Sequence, residues 1–593
     1  MPFDGIVLNA VIRELKEILV GGRIEKIYQP DKNEIVLIIR QYKEEKKLLI
    51  SAHPQNCRLH ITENPKENPS SPPMFCMLLR KNLVGGRIRE INQKDLERLV
   101  EIVIENEDEF GRTIVRALLV EIMGKHSNIT LVDESTKIII DSIKRIPSEI
   151  NRVRQILPGV KYVFPPLGER MNLLAYEDQI VPTILDLFSR TSESIKVMRW
   201  ITEKFMGISS VASKEILCKS GVDAEKSVIE LSMEERQRIA ETLELLSLNI
   251  KNARYSPKIY FGAESSEPVE FWVFPLQHLN SLKEVSAKSV NEMVDRFYSQ
   301  NENYEKLVNN KKALAAQVEK HLKKLRQNLA FQRQKLNDAK DAEKYKIFGE
   351  LLSAYLYKVS PGMKEIGLPN FYDEGKLVVI PLDEKLSPAQ NAQNYFEKYK
   401  KLRTAREKIE TQIEKILSEI KYLESELYNI EAAESLEDIA EIQTALSNEG
   451  YIKGSEKKSK DETFRSHPIK YISSAGFTIL VGKNNRQNDM LTRKAKPDDI
   501  WVHVKDVPGS HVIIQTGGRQ IDEETLLEAC TLAAYYSKAR NSSNVAVDYT
   551  LKKHVRKPPG SKPGFVIYDH YKTVYVTPNS SIIEKLEKPN PTS

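Results

Sequence analysis

Two long stretches of heptad pattern flank residues 345–390, and they leave this chain few ways to fold. The second reads Leu402, Ile409, Ile413, Ile416, Ile420, Leu423, Leu427 and Ile430, in steps of three and four interrupted at Arg406, with Lys, Glu and Gln filling most other positions. That is the apolar seam of a coiled coil. The first is looser: Leu307, Leu314, Val318, Leu322, Leu325, Leu329 and Leu336, in an almost Gly- and Pro-free stretch from about 281 to 345. A seam of this length is unstable when left in water. Two arms of roughly 60 residues, about 90 Å each at the rise of an α-helix, bury it by folding on each other as an antiparallel hairpin. Dimerisation through two separate coiled coils is the competing reading. In the insert, a strand is expected at Leu377–Leu382. A helix then starts with Ser387 as N-cap, Pro388 at the first helical position and Gln390 closing a capping box. Tyr355, Tyr357, Phe371 and Tyr372 are expected to form the small core of this tip.

The N-terminal part contains a repeat. Residues 15–29 read LKEILVGGRIEKIYQ and residues 79–93 read LRKNLVGGRIREINQ. Each copy reads as a helix, a Gly-Gly stop whose glycine takes the left-handed cap conformation, and a strand. A second strand follows at Ile35–Arg40 and Leu99–Ile104, with more at Thr113–Ile122 and Asn128–Val132. At 593 residues the chain needs several cores. The fold class is multidomain α+β. An α+β domain is expected over 1–175, and a helical, helix–hairpin–helix-like domain over 176–278. The coiled-coil hairpin with its tip follows over 279–446, a linker over 447–465 and a C-terminal α+β domain over 466–593. The last is expected to hold a helix at Glu523–Arg540 and strands at Val566–Tyr568 and Thr573–Val576.

Three places carry candidate binding residues. The turn of the first repeat reads Pro30-Asp31-Lys32-Asn33-Glu34, that of the second Lys94-Asp95-Leu96-Glu97-Arg98. The second therefore sets an acid beside an arginine. A guanidinium held by a carboxylate can present a bidentate fork to a base edge or a phosphate; a plain surface ion pair has the same spacing. Met206-Gly207-Ile208-Ser209-Ser210, ahead of a helix, resembles a hairpin whose backbone N–H groups meet phosphate, with Ser209 where a second glycine is usual. A simple helical connection fits the same residues. In the last domain, Lys483, Arg486, Arg493, Lys494 and Lys496 precede a loop with Lys552, Lys553, Arg556, Lys557 and Lys562, near Tyr568, His570 and Tyr571. Basic groups interleaved with aromatics suit single-stranded or phosphate-rich nucleic acid, and a solvated loop is the alternative.

Other classes are disfavoured. Net charge is +6 and charged residues are 29% of the chain. No apolar run approaches a membrane span, and the first residues lack the pattern of a signal peptide. Cys57, Cys76, Cys218 and Cys530 have neither zinc nor disulfide spacing, which fits a reducing cytosol. Asp506 and Pro508-Gly509-Ser510-His511 do not make a catalytic triad, because an adjacent Ser and His in a Pro-Gly turn cannot form the nucleophile–base pair. His503 alternates with Val502 and Val504 as a strand residue. Phosphate-loop, dinucleotide and zinc-protease motifs are missing. The chain reads as a binding protein, not an enzyme, with no metal and no cofactor.

A long block of the last domain carries a resemblance: Val481-Gly482-Lys483-Asn484-Asn485-Arg486-Gln487-Asn488-Asp489-Met490-Leu491-Thr492, then Asp499 to Lys505 and Pro508 to Val512. It resembles the C-terminal domain of the NFACT family, whose bacterial branch is the RqcH-type ribosome quality-control factors, formerly called fibronectin-binding proteins. Phe3-Asp4-Gly5, Gly85-Gly86-Arg87-Ile88 and Met123 to Asn128 resemble the N-terminal domain of that family. Gly349 to Leu352, Pro381-Leu382-Asp383 and Asn391-Ala392-Gln393 resemble its middle domain. The resemblance implies binding to the large (50S) ribosomal subunit, its rRNA and stalk-base proteins, while peptidyl-tRNA is trapped there. It further implies recruitment of alanyl-tRNA and untemplated alanine tailing of the stalled chain. A small RNA-binding helper protein is a further partner whose need the sequence leaves open; no membrane or DNA partner is implied. The Asp-Arg pair with which the family handles tRNA corresponds to Glu97 and Arg98, so the acid here is one methylene longer. The competing classes are a cell-surface fibronectin-binding adhesin and, from the helical hairpin alone, a nucleic-acid glycosylase.

Overall fold

The computed structural model describes residues 3–108, 110–149, 154–166, 168–176, 179–262, 267–338, 342–453, 467–579, 583 and 586. The chain divides into two compact units, Met1–Tyr304 and Glu305–Ser593.

The repeat is the centre of the first unit. In chain order its elements are α1 (Gly5–Leu19), β1 (Arg23–Asp31), β2 (Glu34–Gln41), β3 (Glu44–Ser51), β4 (Arg58–Ile61), α2 (Met74–Leu83), β5 (Arg87–Gln93), β6 (Leu99–Glu107), β7 (Thr113–Glu121), β8 (Asn128–Asp133) and β9 (Ile139–Ser142). The strands make one antiparallel sheet of nine, ordered β4-β3-β2-β1-β5-β6-β7-β8-β9, so the two copies meet at its middle. They meet reciprocally. Gly21 N donates to Ile88 O and Gly85 N to Ile24 O, both at 2.8 Å. Arg23 Nε donates to Gly85 O and Arg87 Nη1 to Gly21 O, both at 3.1 Å. Gly21 and Gly85 hold φ of +85° and +90°, the left-handed region in which a side chain is strained, as the Gly-Gly stop demands.

The helices after residue 176 are α3 (Ile180–Ser189), α4 (Val197–Lys204), α5 (Ser210–Ser220) and α6 (Met233–Lys251). The region 176–278 is expected to be helical throughout; instead β10 (Lys258–Phe261) and β11 (Pro268–Trp272) join β12 (Lys283–Ser286) in a three-stranded sheet. Lys-Ile-Tyr-Phe is a short β-branched and aromatic run whose strand character is set by its sheet partners rather than by periodicity. One continuous apolar core runs through the unit, from Phe3 and Ile6 through Ile102 and Leu118 to Trp200, Leu243, Phe271 and Tyr298. The nine-stranded sheet, the helical segment and the small sheet are therefore held by the same burial.

In the second unit the two heptad runs lie on α7 (Val290–Asp338) and α9 (Pro388–Ala432), helices of 49 and 45 residues and so shorter than the arms expected. Leu307, Leu314, Val318, Leu322 and Leu329 share one core with Ile416, Ile420, Leu423 and Ile430. Lys311 donates to the Glu431 carbonyl (3.0 Å) and Arg326 to Glu424 (2.7 Å), an opposite-sense pairing. Ile439, Ile442 and Leu446 of α10 (Leu436–Asn448) close the same core. Between the arms lie α8 (Ala342–Ala354), β13 (Glu365–Pro369) and β14 (Leu377–Pro381). Ser387, Pro388 and Gln390 form the expected capping box. The tip core is a correction: Tyr357, Phe371 and Tyr372 are more than half exposed, and Phe348, Leu351, Leu352, Leu368, Ile380 and Tyr395 fill the interior. Regular helical and strand positions outcompete the loop aromatics for it.

Most of the expected linker, 454–465, lies outside the described residues. The last domain holds β15 (Ile469–Ile472), β16 (Thr478–Val481), α11 (Asn485–Lys494), β17 (Ile500–Val504), β18 (Val512–Gln515), α12 (Glu523–Tyr535), β19 (Val545–Leu551), β20 (Val555–Arg556), β21 (Ile567–Tyr568) and β22 (Lys572–Val576). Its main sheet runs β15-β16-β18-β17-β19-β22. Val502 and Val504 of β17 face the core packed by α12, while Trp501 joins a second cluster with Leu491, Ile513 and Val555.

Candidate nucleic-acid interface

The turn Lys94–Arg98 sits where three distant parts of the first unit converge. Asp4 caps α1: its Oδ1 accepts Ile6 N (3.1 Å) and Val7 N (2.9 Å). Its other oxygen accepts the Ser209 hydroxyl (2.7 Å) and the Trp272 indole N–H (3.2 Å). Burial raises the Asp4 pKa, against the pull of these donors and of the Arg98 charge. Next to it, a Cβ on Gly5 would stand 1.9 Å from the Leu96 carbonyl oxygen and 2.6 Å from the Gly207 Cα. Gly207 itself has φ +76° and its Cβ would meet Leu96 at 2.9 Å. Gln93 ties the junction by donating to Gly5 O (2.9 Å) and Glu97 O (3.0 Å).

The residues singled out in the sequence are thus brought together, but their roles differ from the spacing argument. The Glu97 carboxylate is buried and bound by Arg170, 2.5 Å from Nη2 to Oε1. Arg98 is half-buried, its carbonyl accepts Ile122 N (2.9 Å), and its charge acts on Asp4. Gly207 packs against Gly5 and Leu96. Ser209 donates to Asp4 and accepts Ala212 N (3.2 Å) as the N-cap of α5, so its hydroxyl serves the junction. Arg170, Trp272 and the structural use of Asp4 were missed. Asp4 could have been found as an N-cap before an apolar helix; Arg170 and Trp272 have no local signal.

In the second unit, Lys483 Nζ lies 3.5 Å from Asp438. Asn484 and Gln487 donate to Glu441 of α10, and Asn485 to Ser425 and Glu426 of α9. Much of the Gly-Lys-Asn-Asn-Arg-Gln block therefore docks this domain onto α9 and α10, while Arg486 stays exposed. Lys552 starts a single 3-10 turn and is half-buried; Lys553, Arg556 and Lys557 are exposed, and Lys557 pairs with Asp489. The fold also gathers His554, Asp569 and His570, with one ligand atom of each within 4.8 Å of the others, a grouping that the spacing of the histidines does not announce.

The sequence profile of the NFACT N-terminal and middle domains matches residues 4–464, and that of the NFACT protein RNA binding domain matches residues 467–568. The chain is 38% identical to the Rqc2 homolog RqcH of Bacillus subtilis over 593 residues, covering 99% of this chain and 100% of that one. It is 36% identical over 81 residues to the ribosome quality control complex subunit NEMF homolog of Drosophila melanogaster, 13% of this chain and 8% of that one. Among solved structures, the N-terminal part of the fibronectin/fibrinogen-binding protein of Streptococcus suis is 31% identical, with a TM-score of 0.41, covering 50% of this chain and 99% of that one.

Proposed function

This chain belongs to the NFACT family, and from that premise we propose that it acts in ribosome quality control. It binds the large ribosomal subunit while peptidyl-tRNA obstructs it, recruits alanyl-tRNA and directs untemplated alanine addition to the C-terminus of the stalled chain, a tag for degradation. Peptide bonds form in the RNA centre of the subunit, so the protein is a cytosolic binding factor that needs no cofactor of its own. The observation that carries this reading is the full-length match at 38% identity to a relative named for this pathway.

In this reading Arg98 meets unpaired anticodon bases, the usual way proteins read RNA. Glu97 acts indirectly: with Arg170 it holds the turn that presents Arg98. The junction of Asp4, Gly5, Gly207 and Ser209 is its foundation rather than a phosphate contact. The long helices reach the stalk base, and Arg486, Lys553 and Arg556 contact RNA through charge. Arg98→Ala is expected to weaken tRNA capture by about 1–3 kcal/mol while subunit binding persists. Unchanged tRNA co-purification together with unchanged tailing would refute the assignment. Subunit binding is expected to fall steeply with salt as counterions are released; a flat response would remove the electrostatic contribution.

A further inference from the structure

The second unit contains a cavity of about 350 Å³ between α9 and the last domain, and no step of the tRNA reading uses it. Strand β17 builds its floor. Because side chains alternate along a strand, Val502 and Val504 go to the α12 core while Trp501 and His503 line the cavity. Their rings are 5.6 Å apart and near-parallel, 18° between planes. Tyr568 lies 4.7 Å from the Trp501 ring, and His511 stands edge-on to both Trp501 and His503. The wall opposite is α9, with Tyr422 on the cavity and Lys415 and Lys421 exposed at the rim. The remaining side is the loop 560–566, held in place from α11: Gly564 N donates to Asp489 Oδ1 (2.9 Å), and a Cβ on Gly564 would strike Asn485 at 2.3 Å.

Two properties narrow the occupant. The Trp501 indole is fully buried, yet its Nε1–H meets no acceptor among the described residues. A buried donor left open is costly unless something arrives to accept from it. The floor is aromatic and neutral: burial lowers the His503 pKa to about 4 and that of His511 well below its ordinary value, and His511 Nδ1 is already bonded to the Thr492 hydroxyl (2.8 Å); Glu419 and Asp506 add acids to the lining. Lys562, on the loop side, is paired with Glu449 (2.7 Å). An anion would therefore meet two carboxylates and a lysine that is already paired, whereas a flat heterocycle finds the aromatic rings of His503 and Tyr568 and an open indole donor. The volume is at the low end for a ligand site and suits one base with its sugar.

We propose that this cavity captures a single unpaired nucleobase of an RNA strand, with Trp501 donating to a base acceptor and Lys415 and Lys421 flanking the backbone at the rim. The assignment rests on the RNA-binding reading of this domain, and the experiment separates the two. The probe is an octamer of abasic ribose-phosphate units, compared with the same octamer bearing one central base (A, C, G or U), titrated against the full-length protein. One base is expected to tighten binding about 5- to 100-fold, the range set by base–aromatic stacking. A photoreactive 4-thiouracil at that position is expected to crosslink to Trp501, His503 or Tyr568. Trp501→Phe, which keeps the ring and removes the donor, is expected to reduce the gain while leaving abasic binding intact.

Equal binding with and without the base, or crosslinks confined to Lys552, Lys553 and Arg556, overturns the cavity assignment and leaves charge-driven RNA binding standing. Failure to bind even an intact RNA octamer overturns both. A free mononucleotide that binds as tightly as the one-base octamer would make the cavity a site for soluble nucleotide and overturn the RNA assignment.

Discussion

The two copies of the repeat share a backbone frame and differ at one turn, and that turn is where they part in role. In the first copy β1 and β2 close over Lys32-Asn33, with Asp31 paired to Glu34. Glu34 is buried and met on three sides, by Ser51 (3.2 Å), Arg58 (3.5 Å) and Lys66 (2.9 Å). Gln29, the last residue of the repeat, turns back to Lys32 O of its own hairpin (3.4 Å). In the second copy the matching glutamine, Gln93, reaches out to Gly5 O and Glu97 O, and the longer turn leans on Gly5 and Gly207. One turn has become part of the fold; the other is held from outside by residues of the N-terminus and the α4–α5 connection. The two copies share the frame, and the contacts that lock Lys94–Arg98 belong to one copy alone.

The largest break in this asymmetry is expected from Gly5→Ala. Backbone opposes backbone there, so no rotamer change relieves the clash, and the first unit should lose upwards of about 3 kcal/mol. The chain ahead of α2 has no such contact: Pro69 is exposed, and Pro69→Ala should stay within about 0.5 kcal/mol of the parent. Urea unfolding read by hydrogen exchange in peptides of α1 and β6 checks both; equal effects would dissolve the distinction. Smaller effects sharpen it. Glu34→Ala leaves the buried Arg58 with one carboxylate, Glu302, besides the Asn56 carbonyl and the Tyr298 ring, and should cost about 2 kcal/mol with tRNA capture unchanged in the folded fraction. Glu97→Ala frees Arg170, already a third exposed, and should cost about 1 kcal/mol yet lower tRNA capture. Reversal of that pattern would make Glu97 a purely structural residue.

The frame was legible because its signals are local. Gly21-Gly22 and Gly85-Gly86 announce caps, the flanking strands alternate, and Ser387-Pro388 announces a helix start. The heptad seams announced that they would be covered, and in the structure they cover each other, with α10 added. The lock on the second turn was not legible. Arg170 lies 73 residues from Glu97, and Ser209 and Trp272 lie 205 and 268 residues from Asp4. Charge pairing at such separation is decided by the shared core, which no periodicity encodes. The adjacency of Glu97 and Arg98 suggested that the acid orients its neighbour; in the turn it points to a different arginine. The cavity beside Trp501 was hidden for the same reason. His503 was read correctly as a strand residue, but the helix that covers its face comes from residues 415–425, far earlier in the chain.

A further difference between the copies is electrostatic. The acid of the first turn is compensated by two cations, whereas Asp4, on which the charge of Arg98 acts, and Glu270 on β11, on which the charge of Asp4 acts, are acids that burial pushes toward the neutral form, Glu270 to about 7 from an ordinary 4.5. A carboxyl whose pKa is higher in the folded state binds more protons folded than unfolded between those two values. Its stabilising contribution is complete below about pH 4.5 and is lost as pH rises through about 7. The α1–β11 region is therefore expected to be less stable at pH 8 than at pH 5 by about 1–2 kcal/mol, discounted for partial exposure. Glu270→Gln should remove much of that slope and leave exchange in the β2–β3 hairpin untouched. Equal pH slopes in the two hairpins, or a slope that survives Glu270→Gln in full, would show that the acid surplus beside the second turn does not govern its stability.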